Sequence, residues 1–185
     1  MPGPRTLVLM RHATAGHQGA STDHDRPLAP QGLREAAEAG DWIRHTLPEV
    51  DAVLCSTAVR ARQTLTATRI DAPATFADEL YGGGIDDILE QIAQLPDTAG
   101  TVLVVGHAPG IPATAAELVT IAALARAGNP ATEADDPAAA TDAEPGIDGL
   151  RHFSAGALAV LTTAVRWGEL ADHGADLITV RHPGR

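Results

Sequence analysis

The chain has 185 residues, 44% of them apolar, which is enough to bury the core of one domain and excludes wholesale disorder. Its 13 basic side chains are all arginine and face 24 Asp and Glu, for a formal net charge of −11. Such a field repels polyanions and argues against a nucleic-acid or anionic-membrane binder, so any bound anion must be captured locally by a few arginines. With two Trp, two Phe and one Tyr, the core falls mainly to Ala, Val, Leu and Ile. The single cysteine, Cys55, permits neither an internal disulfide nor a CxxC metal site, and a reducing compartment follows as the simplest expectation. The start lacks a signal-like apolar stretch, and no run approaches the roughly 18 uninterrupted apolar residues of a membrane span; a cytoplasmic location is expected.

Thr6–Met10 is a short apolar run that reads as a buried strand. Polar residues punctuated by Pro and Gly follow to Gln31, and helical spacing from Leu33 to Leu47 is stopped by Pro48. Asp51–Cys55 reads as a second strand, with Ser56 placed to cap a helix from about Thr57 to Thr68. A loop containing Gly82, Gly83 and Gly84 precedes an amphipathic helix from Ile85 to Leu95, closed by Pro96. No Lys-Ser/Thr follows those glycines, so they form no nucleotide-binding loop. Thr101–Val105 is the clearest strand and leads through Gly106-His107-Ala108-Pro109-Gly110 into a helix ending at Ala127. Residues 128–149, rich in Asp and Glu with almost no large apolar side chain, read as an acidic mobile surface loop. Ala157–Thr163 and Ala175–Val180 read as closing strands. Apolar strands alternating with helices predict a single α/β domain over 1–185, with a mostly parallel central sheet covered on both faces.

Arg-His occurs four times, so context must choose between the copies. Arg44-His45 falls in the last turn of a helix, where cations suit the dipole; Arg151-His152 and Arg181-His182 read as surface charge. Arg11-His12 and His107 each follow a buried strand, and Arg60 lies near the start of the helix after another. Ligands of open α/β sheets bind beyond the carboxyl ends of strands, so these four side chains are aimed at one rim. Guanidinium groups match phosphoryl oxygens and keep their charge, while a neutral imidazole can attack phosphorus. Two residues round the helix from Arg60, Arg62 points about 200° away, toward solvent or an acid.

Leu7–Ala13 resembles the opening Arg-His-Gly signature of the histidine phosphatase superfamily. Ser56–Thr64 resembles its Ser-x-x-x-Arg-Ala-x-x-Thr motif, and Val104–Gly110 its third motif. Asp25–Gly32, Phe153–Val160 and Trp167 narrow the similarity to the small SixA-type phosphohistidine phosphatases. The resemblance implies a three-layer α/β/α, phosphoglycerate mutase-like fold and a phosphatase needing neither cofactor nor metal. It makes His12 the phosphorylated nucleophile, with Arg11, Arg60 and His107 on the phosphoryl group. The implied partner is a phosphohistidine protein or a small phosphorylated substrate, with no nucleic acid or membrane partner, and the chain is expected to be a monomer.

The chain departs from the superfamily pattern in two respects. Ala13 replaces the glycine after the histidine, which requires an ordinary negative φ there. No clear proton-donating acid stands out; Glu79, then Asp78, are the nearest candidates, though an exposed loop acid is the plainer reading. A phosphoramidate can leave as an easily protonated imidazole and depends less on such an acid. Arg26 either meets substrate or pairs with Asp23 or Asp25, and His17 and His24 lie at the pocket mouth or on the surface. Three other functions are open: a phosphatase for a small phosphomonoester such as a sugar phosphate or nucleotide, a non-catalytic phospho-binding module, and a metal site from His12, His17, His24 and an acid. The last lacks compact ligand spacing.

Overall fold

A computed structural model describes residues 3–17, 19–128 and 148–184. Its centre is a six-stranded sheet in the order β3-β2-β4-β1-β5-β6. The strands are β1 (Arg5–Arg11), β2 (Ala52–Ser56), β3 (Ala74–Ala77), β4 (Thr101–Gly106), β5 (Leu158–Thr163) and β6 (Asp176–Arg181). The first four run parallel, while β5 and β6 join as antiparallel strands on the far edge.

The period-2 geometry of a strand explains why β1, β2 and β4 each carry an unbroken apolar stretch, Leu7–Met10, Ala52–Cys55 and Val102–Val105: helices cover both faces. Leu7, Leu9, Val102 and Val104 turn toward α4 (Ile85–Ala93) and α5 (Gly110–Ala127), meeting Ile88, Ile92, Ile111 and Leu118. Val8, Met10, Leu103 and Val105 turn the other way, onto Ala39 and Ile43 of α1 (Pro30–Thr46) and Ala61 and Leu65 of α2 (Val59–Thr68). Short helices α3 (Glu79–Gly82), α6 (Asp148–Arg151) and α7 (Leu170–His173) complete the layers. Over its 18 residues α5 has the length and mean hydropathy, 1.2, of a membrane span. Here it is a layer helix, with Ile111, Ala115 and Leu118 fully buried against the core.

Several sequence expectations are corrected. The first helix begins at Pro30 rather than Leu33, since proline fits the first turn, where its missing N–H costs nothing. Ser56 ends β2 and caps no helix: α2 starts at Val59 behind Ala58, and the Ser56 hydroxyl is used elsewhere. The edge strand β3 and the four-residue α3 were not expected at all. Arg181, expected as surface charge beyond a strand ending at Val180, belongs to β6, and its guanidinium lies 5.4 Å from the centroid of the Trp42 ring. Arg44 and His45 do occupy the last turn of α1, Arg44 donating to the Thr68 carbonyl and to Asp41. The acidic surface loop expected over 128–149 lies outside the described residues apart from its ends.

Candidate active site

The carboxyl ends of three adjacent parallel strands, β2, β4 and β1, place Ser56, His107 and His12 on one rim. The His12 backbone continues the ladder: its N–H donates to the Gly106 carbonyl (2.9 Å) and its carbonyl accepts from Gly156 (3.0 Å). Ala13 has no positive φ, so the alanine in place of glycine imposes no backbone strain. Its N–H donates to Thr64 Oγ1 (3.1 Å), which in turn donates to the Arg60 carbonyl (2.7 Å), so α2 is tied directly to the segment after the histidine.

Arg60, 6% exposed, is the centre of the cluster. Its Nε donates to His12 Nε2 (3.2 Å) and its Nη2 approaches His107 Nδ1 (3.3 Å). A guanidinium has no acceptor, so both ring nitrogens must be unprotonated and present lone pairs to it. The opposite nitrogens then carry the protons. His12 Nδ1–H donates to the Ala13 carbonyl (2.8 Å), and His107 Nε2–H donates to Ser56 Oγ (2.9 Å). Ser56 thus fixes a tautomer rather than a helix terminus. The two rings lie 4.8 Å apart.

Both rings are kept neutral. Burial pushes the His12 pKa down from 6.5 to about 4, against the raising effect of the Ala13 carbonyl, and the charges of Arg60, Arg11 and Arg26 lower it further. His107 falls to about 3, again chiefly through burial, with His12 and Arg60 adding to it and Asp23 opposing. Arg11 donates through Nη1 to the Phe153 carbonyl (2.9 Å), while its Nε is buried with no hydrogen-bond partner among the described residues. Such a donor is available to an anion.

At the mouth stands Asp23. Its carboxylate accepts from Arg26 Nη1 (2.9 Å), Arg60 Nη2 (3.0 Å) and the Tyr81 hydroxyl (2.9 Å), and its carbonyl accepts from Arg60 Nη1 (2.6 Å). These donors, Arg26 first, hold its pKa at about 2. Tyr81 meets His107 edge-on at 5.3 Å and His24 at 5.0 Å, and His24 Nε2 lies 3.1 Å from Thr57 Oγ1.

Of the side chains singled out from sequence, Arg11, His12, Arg60 and His107 come together, and Arg26 joins them through Asp23. Glu79 does not: it is exposed at the start of α3, and its carboxylate accepts no hydrogen bond from the cluster. His17 is exposed, and Arg62 turns outward, its guanidinium 5.1 Å from the centroid of the Phe76 ring. Sequence reasoning named Asp23 only as a partner for Arg26, which it is; it missed the contacts of Asp23 to Arg60 and Tyr81, and the His107-fixing role of Ser56. It also missed Glu35, whose buried carboxylate accepts from the Thr14 N–H (2.9 Å), Thr14 Oγ1 (3.0 Å) and Gln31 Nε2 (2.7 Å). One signal for Glu35 was available: an acid beside Ala36 and in phase with Ala39 on the inward face of α1 is out of place unless it has partners. Gly32 lets α1 come that close, since a Cβ there would lie 2.1 Å from the Thr14 carbonyl oxygen.

Comparison with known proteins agrees with this geometry. Residues 7–81 match the Histidine phosphatase superfamily (branch 1). A solved structure from Nakamurella multipartitia, provisionally named phosphohistidine phosphatase SixA, is 53% identical with a TM-score of 0.87, covering 100% of this chain and 99% of that one. An uncharacterized protein of Mycobacterium tuberculosis is 42% identical over 94% of this chain and 99% of its own length. Phosphohistidine phosphatase SixA of Escherichia coli is 31% identical over 60% of this chain and 73% of its own. The six-stranded sheet between two helical layers is the phosphoglycerate mutase-like fold. The chain belongs to the histidine phosphatase superfamily, where its likeness is to the SixA-type members.

Proposed function

We propose that this protein is a metal-independent phosphatase that works through a phosphorylated His12, and that its substrate is phosphohistidine on a protein. The observation that carries the reading is the pair of neutral imidazole lone pairs, His12 Nε2 and His107 Nδ1, converging on the Arg60 guanidinium. An entering phosphoryl group takes over donors of Arg60 from these acceptors, leaving His12 Nε2 free to attack. Its lone pair forms the N–P bond while the P–N bond of the substrate breaks, the electron pair staying on the leaving ring nitrogen. A substrate ring already protonated on its other nitrogen departs as neutral imidazole. Water then attacks phosphorus, the bond to Nε2 breaks with its electrons returning to His12, and the water proton passes to phosphate or solvent. Arg60 and Arg11 stabilise the equatorial oxygens throughout, a task fixed charges perform well in a buried pocket.

No step of this route needs a carboxylic acid beside the leaving group, which suits the exposed position of Glu79. The competing ester phosphatase would need a proton donor for an alkoxide. Hydrolysis of a phosphohistidine peptide and of a panel of sugar phosphates and nucleotides, side by side, is expected to favour the peptide by roughly tenfold or more in kcat/KM. A strong preference for the esters, abolished by Glu79→Gln, overturns the phosphohistidine assignment. Turnover of neither class, with phosphate still bound, leaves a binding module.

The depressed histidine pKa values predict the pH behaviour. The nucleophile must be unprotonated, so kcat/KM, corrected for substrate ionisation, is expected to stay level from pH 7 to pH 5. It should fall only as His12 protonates near about 4, with Asp23, whose pKa is about 2, ionised throughout. Stability runs differently. Between 6.5 and about 4 the unfolded chain binds a proton that the folded His12 refuses, so stability present above 6.5 is lost as pH falls through that window. His12 contributes on the order of 3 kcal/mol of that loss. Chemical denaturation at pH 7 and pH 4.5 is expected to show a smaller drop for His12→Gln than for the wild type.

A further inference from the structure

The rim of the site holds a group that the phosphoryl-transfer route leaves unused. Asp23 lies at the outer end of Arg60: Nε of that guanidinium reaches His12 at the floor, while Nη1 and Nη2 reach the Asp23 carbonyl and carboxylate. Burial marks the direction. His12 and His107 are each 9% exposed, whereas the Asp23 side chain is 55% exposed. In-line displacement puts the leaving group on the side of phosphorus opposite His12 Nε2, toward solvent and past this carboxylate. We propose that Asp23 selects the leaving group, favouring one that is cationic or donates hydrogen bonds and rejecting one that is anionic. This rests on the reading of His12 as nucleophile.

Charge balance supports the assignment. The charges of Arg11, Arg26 and Arg60 all act on His12, and the Asp23 carboxylate offsets one of them. The remaining two positive charges match a phosphoryl dianion and leave none for a second anionic group. A protonated imidazole ring, by contrast, brings a positive charge and an N–H donor to the carboxylate. Arg26 and the Tyr81 hydroxyl keep Asp23 in place when phosphoryl oxygens take over Arg60 Nη2. Asp23 is therefore a specificity-determining residue that acts on the departing group.

The test uses three probes with the full-length protein: a phosphohistidine peptide, phosphocholine with its cationic leaving alcohol, and phosphoglycolate with its anionic one. Asp23→Asn is expected to lower kcat/KM for the first two by roughly three- to tenfold and to raise it for phosphoglycolate by a similar factor, the size of one screened charge a few ångströms away. Asp23→Glu should keep the wild-type order of preference. A purely structural role, positioning Arg60, would move all three probes in parallel, and a parallel shift overturns the proposal. The site is exposed, and far-UV circular dichroism of both variants checks that they fold; Asp23→Ser repeats the test if the amide misfolds. Wild-type protein that ignores the phosphohistidine peptide would remove the substrate assignment, while the ratio between the two esters would still decide the role of Asp23.

Discussion

Replacing His12 by alanine is expected to abolish phosphoenzyme and to lower kcat by roughly 10⁴-fold or more, with much smaller loss of phosphate affinity. The contrast comes from how the cluster is built. On the proposed route His12 supplies the attacking lone pair, while the donors for the anion belong to Arg60 and to Arg11, whose Nε is buried with no hydrogen-bond partner among the described residues. Truncating the ring also frees Arg60 Nε–H, which an oxyanion can use. Inorganic phosphate measured by calorimetry should therefore bind the variant within several-fold of the wild type. Brief incubation with ³²P-labelled phosphohistidine peptide and an alkaline quench, which preserves a phosphoramidate bond, should label wild type and leave His12→Ala unlabelled. Equal labelling of the two, or more than about 1% residual turnover, would place the nucleophile elsewhere.

How far the sequence foretold this arrangement depends on what each element buries. The central strands were legible because β1, β2 and β4 are covered on both faces and so contain unbroken apolar runs. β3 was not, because it is an edge strand of four residues, three of them exposed, and its Ala-Thr-Phe-Ala carries no such run. For the site, strand ends located His12 and His107, and helical phase separated Arg60 from Arg62: one lies on His12 and the other on Phe76. Side chains in loops or in a single helical turn, such as Asp23 and Tyr81 of α3, follow no such periodic rule. Asp23 and Tyr81 are 58 residues apart and meet only after the sheet has assembled. Ser56 shows a subtler failure. Serine before a helix ordinarily caps it, but here the backbone needs two further residues to leave β2, and the hydroxyl is drawn to His107 instead. Local preference gave way to a tertiary contact in the place where the site sits.

Arg60→Lys separates the charge of the central cation from its shape. The substitution keeps one positive charge but replaces a planar fork by a single rotatable ammonium. Arg60 donates through Nε to His12 and through Nη1 to the Asp23 carbonyl, while Nη2 serves both His107 and the Asp23 carboxylate. An ammonium cannot reach these separated acceptors together, nor match two phosphoryl oxygens in the transition state. The expected outcome is a fall of roughly 10²–10³-fold in kcat/KM, the size seen when one preorganised oxyanion donor is lost. Arg62→Lys, two residues on and facing away over Phe76, should change kcat/KM by less than about threefold. Arg60→Met then tests the charge itself. The Arg60 charge lowers the pKa of His12 and of His107, so its removal should raise both and move the acid limb of kcat/KM to higher pH. Arg60→Lys should leave that limb near its wild-type position. Burial is the larger cause of the depressed His12 pKa, so even Arg60→Met should keep the limb below the 6.5 of an exposed imidazole. A limb at 6.5 or above in Arg60→Met would mean that the guanidinium, rather than burial, keeps His12 neutral.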